Sequence, residues 1–342
     1  MRAMVLRRIV QIANSPEPLA MAEVPEPVAG PGAVVVAVSC CGVCHTELDE
    51  IEGRTPPPRL PVVLGHQAVG RVAALGAGVT TVAVGARVGV AWINSACGRC
   101  PACQRGEENL CAEFRATGRD VDGGYAERMV APAAFVHPLP ESLSDVEAAP
   151  LLCAGAIGYR SLCLAHLRRG GRLGLTGFGA SGHLVLKLLR HLDPEASIYC
   201  FARSEGERAF ARELGAVWAG DTRARAPERL DAIIDTTPAW RPVVEALANL
   251  VPGGRLVINA IRKEAVDQAA LLELDYPTHL WMEREIKSVA NVTRRDVRDF
   301  LAIAAAAGIR PEVELYPLEA ANRALAELSA GTLRGAKVLR IG

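Results

Sequence analysis

Along the first 140 residues the apolar positions come in short runs broken by Pro and Gly. Val34–Val38, Val62–Leu64, Ala68–Ala74 and Arg87–Ala91 each read as a strand between turns. Pro25, Pro27, Pro31 and the run Pro56–Pro58 punctuate them. This half is predicted to be mostly β and barrel-like. Near Ser144 the pattern changes. Glu147–Leu164 reads as a helix, Gly171–Thr176 as a strand and Ser181–Leu192 as a helix. Ser197–Ala202, Asp231–Asp235, Arg255–Ala260 and Glu285–Ala290 read as further strands. Helices at Glu205–Leu214 and Pro242–Leu250 lie among them. Strands alternating with helices imply βαβ units and a parallel sheet. After Thr293 the pattern gives a helix (Asp296–Ala307), a strand (Val313–Tyr316), a helix (Leu318–Ser329) and a last strand (Lys337–Ile341). Periodicity leaves open whether this tail extends the α/β sheet or returns to the first half.

A length of 342 residues gives a prior of two domains. With 50% hydrophobic and 22% charged residues, disorder as the main state is excluded. The 38 basic and 38 acidic residues cancel, so no broad basic footprint for nucleic acid is expected. No apolar run approaches the roughly 20 residues that span a bilayer. Met1–Ala20 has two adjacent arginines without the continuous apolar stretch of a secretory signal. The expected location is the cytoplasm.

Four of the ten cysteines fall inside fifteen residues, as Cys97-x2-Cys100-x2-Cys103-x7-Cys111. Two-residue gaps let thiolates converge on one tetrahedral metal, and the longer loop brings the fourth. Four sulfurs close the coordination sphere, which marks a structural zinc; an iron–sulfur cluster is the rival. A disulfide framework belongs to small secreted domains and is disfavoured here.

The second motif is Leu173-Gly-Leu-Thr-Gly177-Phe-Gly179-Ala-Ser-Gly182, which follows a strand and opens a helix. That context is what a dinucleotide fingerprint requires. Gly177 permits the tight turn, Gly179 lets a pyrophosphate approach the backbone, and Gly182 lets helix and strand pack closely. An acid at the end of the next strand would bind the adenosine ribose of NAD. Here the strand ends Ala202-Arg203-Ser204, with no acid and a guanidinium suited to a 2′-phosphate. The pairing favours NADP(H) over NAD(H). A third, dispersed set is Cys44-His45-Thr46, Gly65-His66-Gln67 and Cys153. It supplies two thiols and one imidazole, a set used for open catalytic zinc sites.

Taken together, Gly42-Val-Cys44-His-Thr46, Gly65-His66, the four-cysteine lobe, Leu152-Cys153-Ala-Gly155 and Gly177–Gly182 resemble, in order and spacing, the zinc-dependent medium-chain alcohol dehydrogenases. The resemblance covers essentially the whole chain. It implies an α/β protein with a GroES-like β-rich catalytic domain (1–150, completed by 292–342) and a Rossmann doubly wound parallel-sheet domain (151–291). It implies a catalytic zinc on Cys44, His66 and Cys153, and a structural zinc on Cys97, Cys100, Cys103 and Cys111. By the same resemblance Thr46 takes the alcohol proton, His45 approaches the cofactor pyrophosphate and Trp92 lines the substrate pocket. Arg203 and Ser204 stand at the adenosine end of the cofactor. A homodimer or homotetramer is implied.

Four departures stand out. Gln67 follows His66 where the family commonly has Glu, and Glu47 replaces the usual Asp, as a longer carboxylate that can still reach a zinc ligand from behind. Asp49 occupies the proton-relay position often held by His, or else is a solvated acid in the run Glu47–Glu52. Ile157 stands where a Thr is frequent. The remaining cysteines, Cys163 among them, are expected in the core. The expected activity is hydride transfer between NADP(H) and primary alcohols or aldehydes. The alternative is a non-catalytic, zinc- and dinucleotide-binding redox sensor or interaction protein.

Overall fold

A computed structural model describes residues 1–331 and 335–342. The chain divides into two compact units, Met1–Ala156 with Val292–Gly342, and Ile157–Asn291.

The first unit is built around the long strand Ala33–Val43. Its run of Val and Cys alternates into a buried face, and it pairs antiparallel with both Ala68–Leu75 and Arg128–Pro132. Arg87–Val90 and Val136–Pro138 extend the sheet on one side. On the other side Ala336–Arg340 pairs antiparallel with Cys40–Val43, and Val313–Pro317 runs parallel to Ala336–Arg340. The tail therefore returns to the first half of the chain. A smaller sheet joins Leu19–Glu23, Arg2–Leu6 and Val62–Val63. The core between these elements gathers Leu6, Val36, Ile51, Leu64, Tyr125 and Met129, with Leu325 and Leu328 from the helix Ala321–Ser329.

The second unit is a six-stranded parallel sheet. In chain order its strands are Arg172–Thr176, Ser197–Phe201, Trp218–Gly220, Leu230–Asp235, Leu250–Ile258 and Glu285–Ser288, and their spatial order is 3-2-1-4-5-6. That is the doubly wound order of dinucleotide-binding folds, with its switch point between the first and fourth strands. Both faces are buried. Leu173, Leu175, Ile198 and Cys200 pack under the helices Ala180–Leu192 and Glu205–Glu213. Tyr199, Phe201, Ile233 and Leu256 face the helix Arg241–Leu247 on the other side.

Asp145–Ala165 is helical over 21 residues and apolar enough in composition to cross a membrane, but 67% of its most apolar window is buried inside the protein. It is interrupted by a wide, π-type turn at Leu151–Gly155, directly after Pro150. Proline lacks the N–H that would continue the α ladder, and such wide turns occur often at functional sites. Cys153 lies within this turn. Cys163, expected in the core, is instead exposed on the following helical stretch.

Candidate active site

Cys44 closes the strand–helix corner between Ala33–Val43 and the helix His45–Ile51, whose N-cap it is. His66 follows Gly65, which has a φ of +97° and presses so closely on Tyr125 that a Cβ would stand 2.4 Å from its ring. Only glycine fits that corner. Cys153 enters from the wide turn. The helix before that turn is fixed by Asp145, which accepts hydrogen bonds from Ser39 Oγ and from Arg87 Nε at 2.5 Å each. Burial alone would push the Asp145 carboxyl up; the Ser39 and Arg87 bonds outweigh it and lower its pKa.

These elements bring Cys44 Sγ, a His66 ring nitrogen and Cys153 Sγ within 4.8 Å of one another. His66 Nε2 lies 3.2 Å from Cys153 Sγ. Bonds of about 2.3 Å to sulfur and 2.0–2.1 Å to nitrogen, in tetrahedral geometry, place such atoms about 3.5 Å apart. The other ring nitrogen, Nδ1, is 2.6 Å from Glu47 Oε1, while Glu47 Oε2 accepts the Cys44 backbone N–H at 2.7 Å. Glu47 thus orients the imidazole and leaves Nε2 turned toward the sulfurs, the arrangement found behind metal-ligating histidines. The groups also polarise one another. A hydrogen bond from Cys153 lowers the Cys44 thiol and raises that of Cys153 itself. Burial opposes charge on His66, but Glu47 and Cys44 outweigh it and push its pKa up. Two thiols, one imidazole and a buried carboxylate behind it are a donor set that suits zinc.

The run Glu47–Glu52 is not a solvated acidic stretch. Glu47, Asp49 and Glu50 are all buried. Asp49 Oδ1 accepts from Arg54 Nε at 2.6 Å. Among the described residues neither carboxylate oxygen of Glu50 has a hydrogen-bond partner, and burial followed by the charge of Glu47 pushes its pKa well up. Three acids in one short helix gave no amphipathic signal that separated them from a surface run. Thr46 lies on the first turn with Oγ1 3.7 Å from Cys44 Sγ, and His45 beside it is exposed. Gln67 is buried, and its side chain fills the space over Gly42. Trp92 is buried, with its Nε1 unpartnered among the described residues. It packs at 5.2 Å on Phe114, with the Arg119 guanidinium 5.6 Å above its ring. Phe114 and Arg119 carried no motif and went unnoticed in the sequence.

The four sulfurs of Cys97, Cys100, Cys103 and Cys111 also lie within 4.8 Å of one another. Cys97 Sγ is 3.9 Å from Cys103 Sγ, against about 3.8 Å for two thiolates on a tetrahedral zinc. Backbone N–H groups donate to the sulfurs, from Cys100 to Cys97 and from Cys97 to Cys111. Amides near Cys97 lower its pKa to about 6. The lobe is tied down by Glu108, which accepts from the backbone and side chain of Arg294.

In the second unit, Gly177 ends the strand Arg172–Thr176 with φ +80°, and a Cβ there would stand 2.8 Å from Thr236 Oγ1. Gly182 lies against the Gly177 carbonyl, where a Cβ would be 2.9 Å away. No atom stands within 4 Å of the Cβ position of Gly179, the N-cap of the 13-residue helix Ala180–Leu192. Open backbone at a helix N-terminus beside the switch point is a cradle that fits a pyrophosphate. The Arg203 guanidinium is exposed and unpaired among the described residues. Ser204 caps the helix Glu205–Glu213, its Oγ accepting from Glu207 N and donating to Glu207 Oε2. Arg208, overlooked in the sequence, braces this turn through the Ala202 and Arg203 carbonyls.

Residues 30–141 match the alcohol dehydrogenase GroES-like domain family. The chain is 44% identical to the probable alcohol dehydrogenase AdhA of Mycobacterium tuberculosis, over 100% of this chain and 97% of that protein. It is 32% identical to an alcohol dehydrogenase of Geobacillus stearothermophilus, over 94% of this chain and 96% of the relative. The solved alcohol dehydrogenase of the archaeon Aeropyrum pernix superposes with a TM-score of 0.86 at 27% identity, covering 99% of this chain and 100% of that one. Identity of this extent, along the full length and across both units, makes the chain a member of the zinc-type medium-chain alcohol dehydrogenase family.

Proposed function

We propose that this alcohol dehydrogenase is zinc-dependent, prefers NADP(H) to NAD(H), and interconverts primary alcohols and aldehydes of small to medium or aromatic type. The convergence of Cys44, His66 and Cys153, with His66 held by Glu47, carries the reading. Those three side chains would hold the catalytic zinc, and Cys97, Cys100, Cys103 and Cys111 the structural one. Bound there, zinc would polarise the oxygen of an alcohol or aldehyde, and the nicotinamide would exchange the hydride.

The remaining chemistry belongs to the chain. Thr46 Oγ1 would accept the substrate hydroxyl proton while releasing its own, and Asp49, three residues on along the same helix, is the base we assign to receive it. Trp92 supplies a flat apolar wall that orients the substrate and excludes water. Gly177, Gly179 and Gly182 would seat the cofactor pyrophosphate, and by the family resemblance His45 would donate a hydrogen bond to it. The nucleotide preference rests on Arg203, an available guanidinium where an acid would repel a 2′-phosphate. Residues 1–150 with 292–342 are assigned as the catalytic domain and 151–291 as the cofactor domain. The working form is assigned as a homodimer or homotetramer in the cytoplasm.

Initial rates with NADPH and NADH, on butanal and benzaldehyde and with zinc quantified, test this reading. Two zincs per chain and faster turnover with NADPH are expected. Equal or better rates with NADH would overturn the nucleotide preference. Two zincs, tight nucleotide binding and no turnover across a wider carbonyl panel would favour the non-catalytic alternative.

A further inference from the structure

The first unit carries a pocket of about 440 Å³ that none of the chemistry above uses, lined among others by Arg105, Glu108, His137, Arg294, Arg295 and Arg298. Three of its arginines stand at the start of the helix Arg294–Ala306. That placement works against the helix. Cations in a first turn oppose the helix dipole, and like charges three or four residues apart, as in Arg294/Arg298 and Arg295/Arg298, repel on one face. Acids offset them incompletely. Glu108 takes Arg294 at 2.9 Å, Glu107 takes Arg105 at 2.8 Å, and one carboxylate, Asp299, serves both Arg295 (3.3 Å) and Arg298 (3.2 Å). Asp296 adds a fourth carboxylate in the first turn, where it caps the helix through Thr293, but Arg295 and Arg298 share the single ion-pair partner Asp299 among the described residues. Arg295 and Arg298 remain 79% and 72% exposed.

The wall of the pocket supplies an independent observation. His137, on the strand Val136–Pro138, is only 6% exposed, and its ring makes no hydrogen bond among the described residues. The ring faces the pocket charges closely enough that, after burial itself, Arg294 and Arg298 hold its pKa down to about 4, with Glu108 opposing them. A neutral imidazole keeps one N–H to donate, and on the pocket wall that donor has no protein acceptor among the described residues. Glu108 already shows what the site accepts, since its Oε1 takes both the Arg294 backbone N–H and Nε at 2.9 Å.

We propose that this pocket binds a phosphate-type oxyanion, gripped by the Arg295 and Arg298 guanidiniums and by the His137 N–H. Guanidinium forks match tetrahedral oxyanions in two-point contacts, and an anion here would relieve the repulsion along the helix. The pocket belongs to the first unit and the Gly177–Gly182 turn to the second, and the proposal does not depend on the hydride-transfer reading.

Isothermal titration of the zinc-replete protein with inorganic pyrophosphate, at low ionic strength and with NADPH present to occupy the dinucleotide turn, tests it. One pyrophosphate per chain is expected to bind, weakening as salt is raised because exposed charges are screened. An Arg295→Gln/Arg298→Gln variant should bind about tenfold more weakly or worse while alcohol turnover stays within about twofold. His137→Asn, checked for folding by its melting curve, should also weaken binding. Absence of one-site binding, or affinity unchanged in the double variant, would overturn the proposal. So would binding of polyglutamate in place of pyrophosphate, which would assign the pocket to an acidic polypeptide.

Discussion

Glu47→Gln is the most informative single change near the candidate zinc site. The wild-type carboxylate accepts two hydrogen bonds at once, from His66 Nδ1 at 2.6 Å and from the Cys44 backbone N–H at 2.7 Å. A glutamine of the same shape has one acceptor oxygen and one NH2 group. Whichever way it turns, a donor faces a donor, so one of the two bonds is lost. A hydrogen bond to a charged group is worth about 1.5–3 kcal/mol, and about 1.4 kcal/mol is a factor of ten. Catalytic-site zinc affinity should therefore fall about 10- to 100-fold, the range seen when such supporting groups are removed. Zinc competition against a calibrated chelator measures this directly, with the four-cysteine site of the same molecule as internal control. The variant should lose one zinc per chain at a chelator strength that leaves the second in place. Zinc affinity within about twofold of wild type would refute the assignment of Glu47 as the support of His66.

Three further outcomes follow from other parts of the structure. Burial raises the Glu50 pKa, so the folded protein keeps a proton that the unfolded chain releases once pH passes the ordinary carboxylate range; stability falls as pH rises. Glu50→Gln should remove that penalty, raising Tm at pH 8 while changing it little at pH 4, and a pH series of thermal melts checks this. Arg203→Ala should lower the ratio of NADPH to NADH in kcat/KM about tenfold or more, for loss of one charge-assisted contact; an unchanged ratio would remove Arg203 from the cofactor reading. Cys103→Ser should cost one zinc per chain by elemental analysis and open the segment 97–111 to proteolysis, because a zinc held there would cross-link a lobe whose Cys97, Cys100 and Cys103 are all partly exposed.

Two of the chemistry-bearing motifs were legible because each is local, whereas the dispersed Cys44, His66 and Cys153 gained meaning only in company with them. Cys97–Cys111 and Gly177–Gly182 declare themselves by spacing within fifteen residues, and the alternation of strands and helices after Gly171 marks the parallel sheet. What was not legible depends on distant partners. Nothing in Lys337–Ile341 says that its strand lies against Cys40–Val43, some 300 residues away in sequence. The strand Leu250–Ile258 begins through Pro252-Gly253-Gly254, a run that reads as a turn. Asp49 reads as a surface acid as readily as a buried one until the chain turns Arg54, five residues on, back onto it. Cys163 misled in the opposite direction, since a lone cysteine in an apolar helix reads as core and here faces outward.

On the proposed reading Cys44, His66 and Cys153 together hold the metal on which turnover depends. Elemental zinc per chain, paired with alcohol oxidation rates for the wild type and for Cys153→Ala, tests it most directly. Two zincs and turnover are expected in the wild type, with one zinc and turnover lowered at least about a hundredfold in the variant. A Cys153→Ala protein that keeps two zincs and wild-type turnover would contradict it.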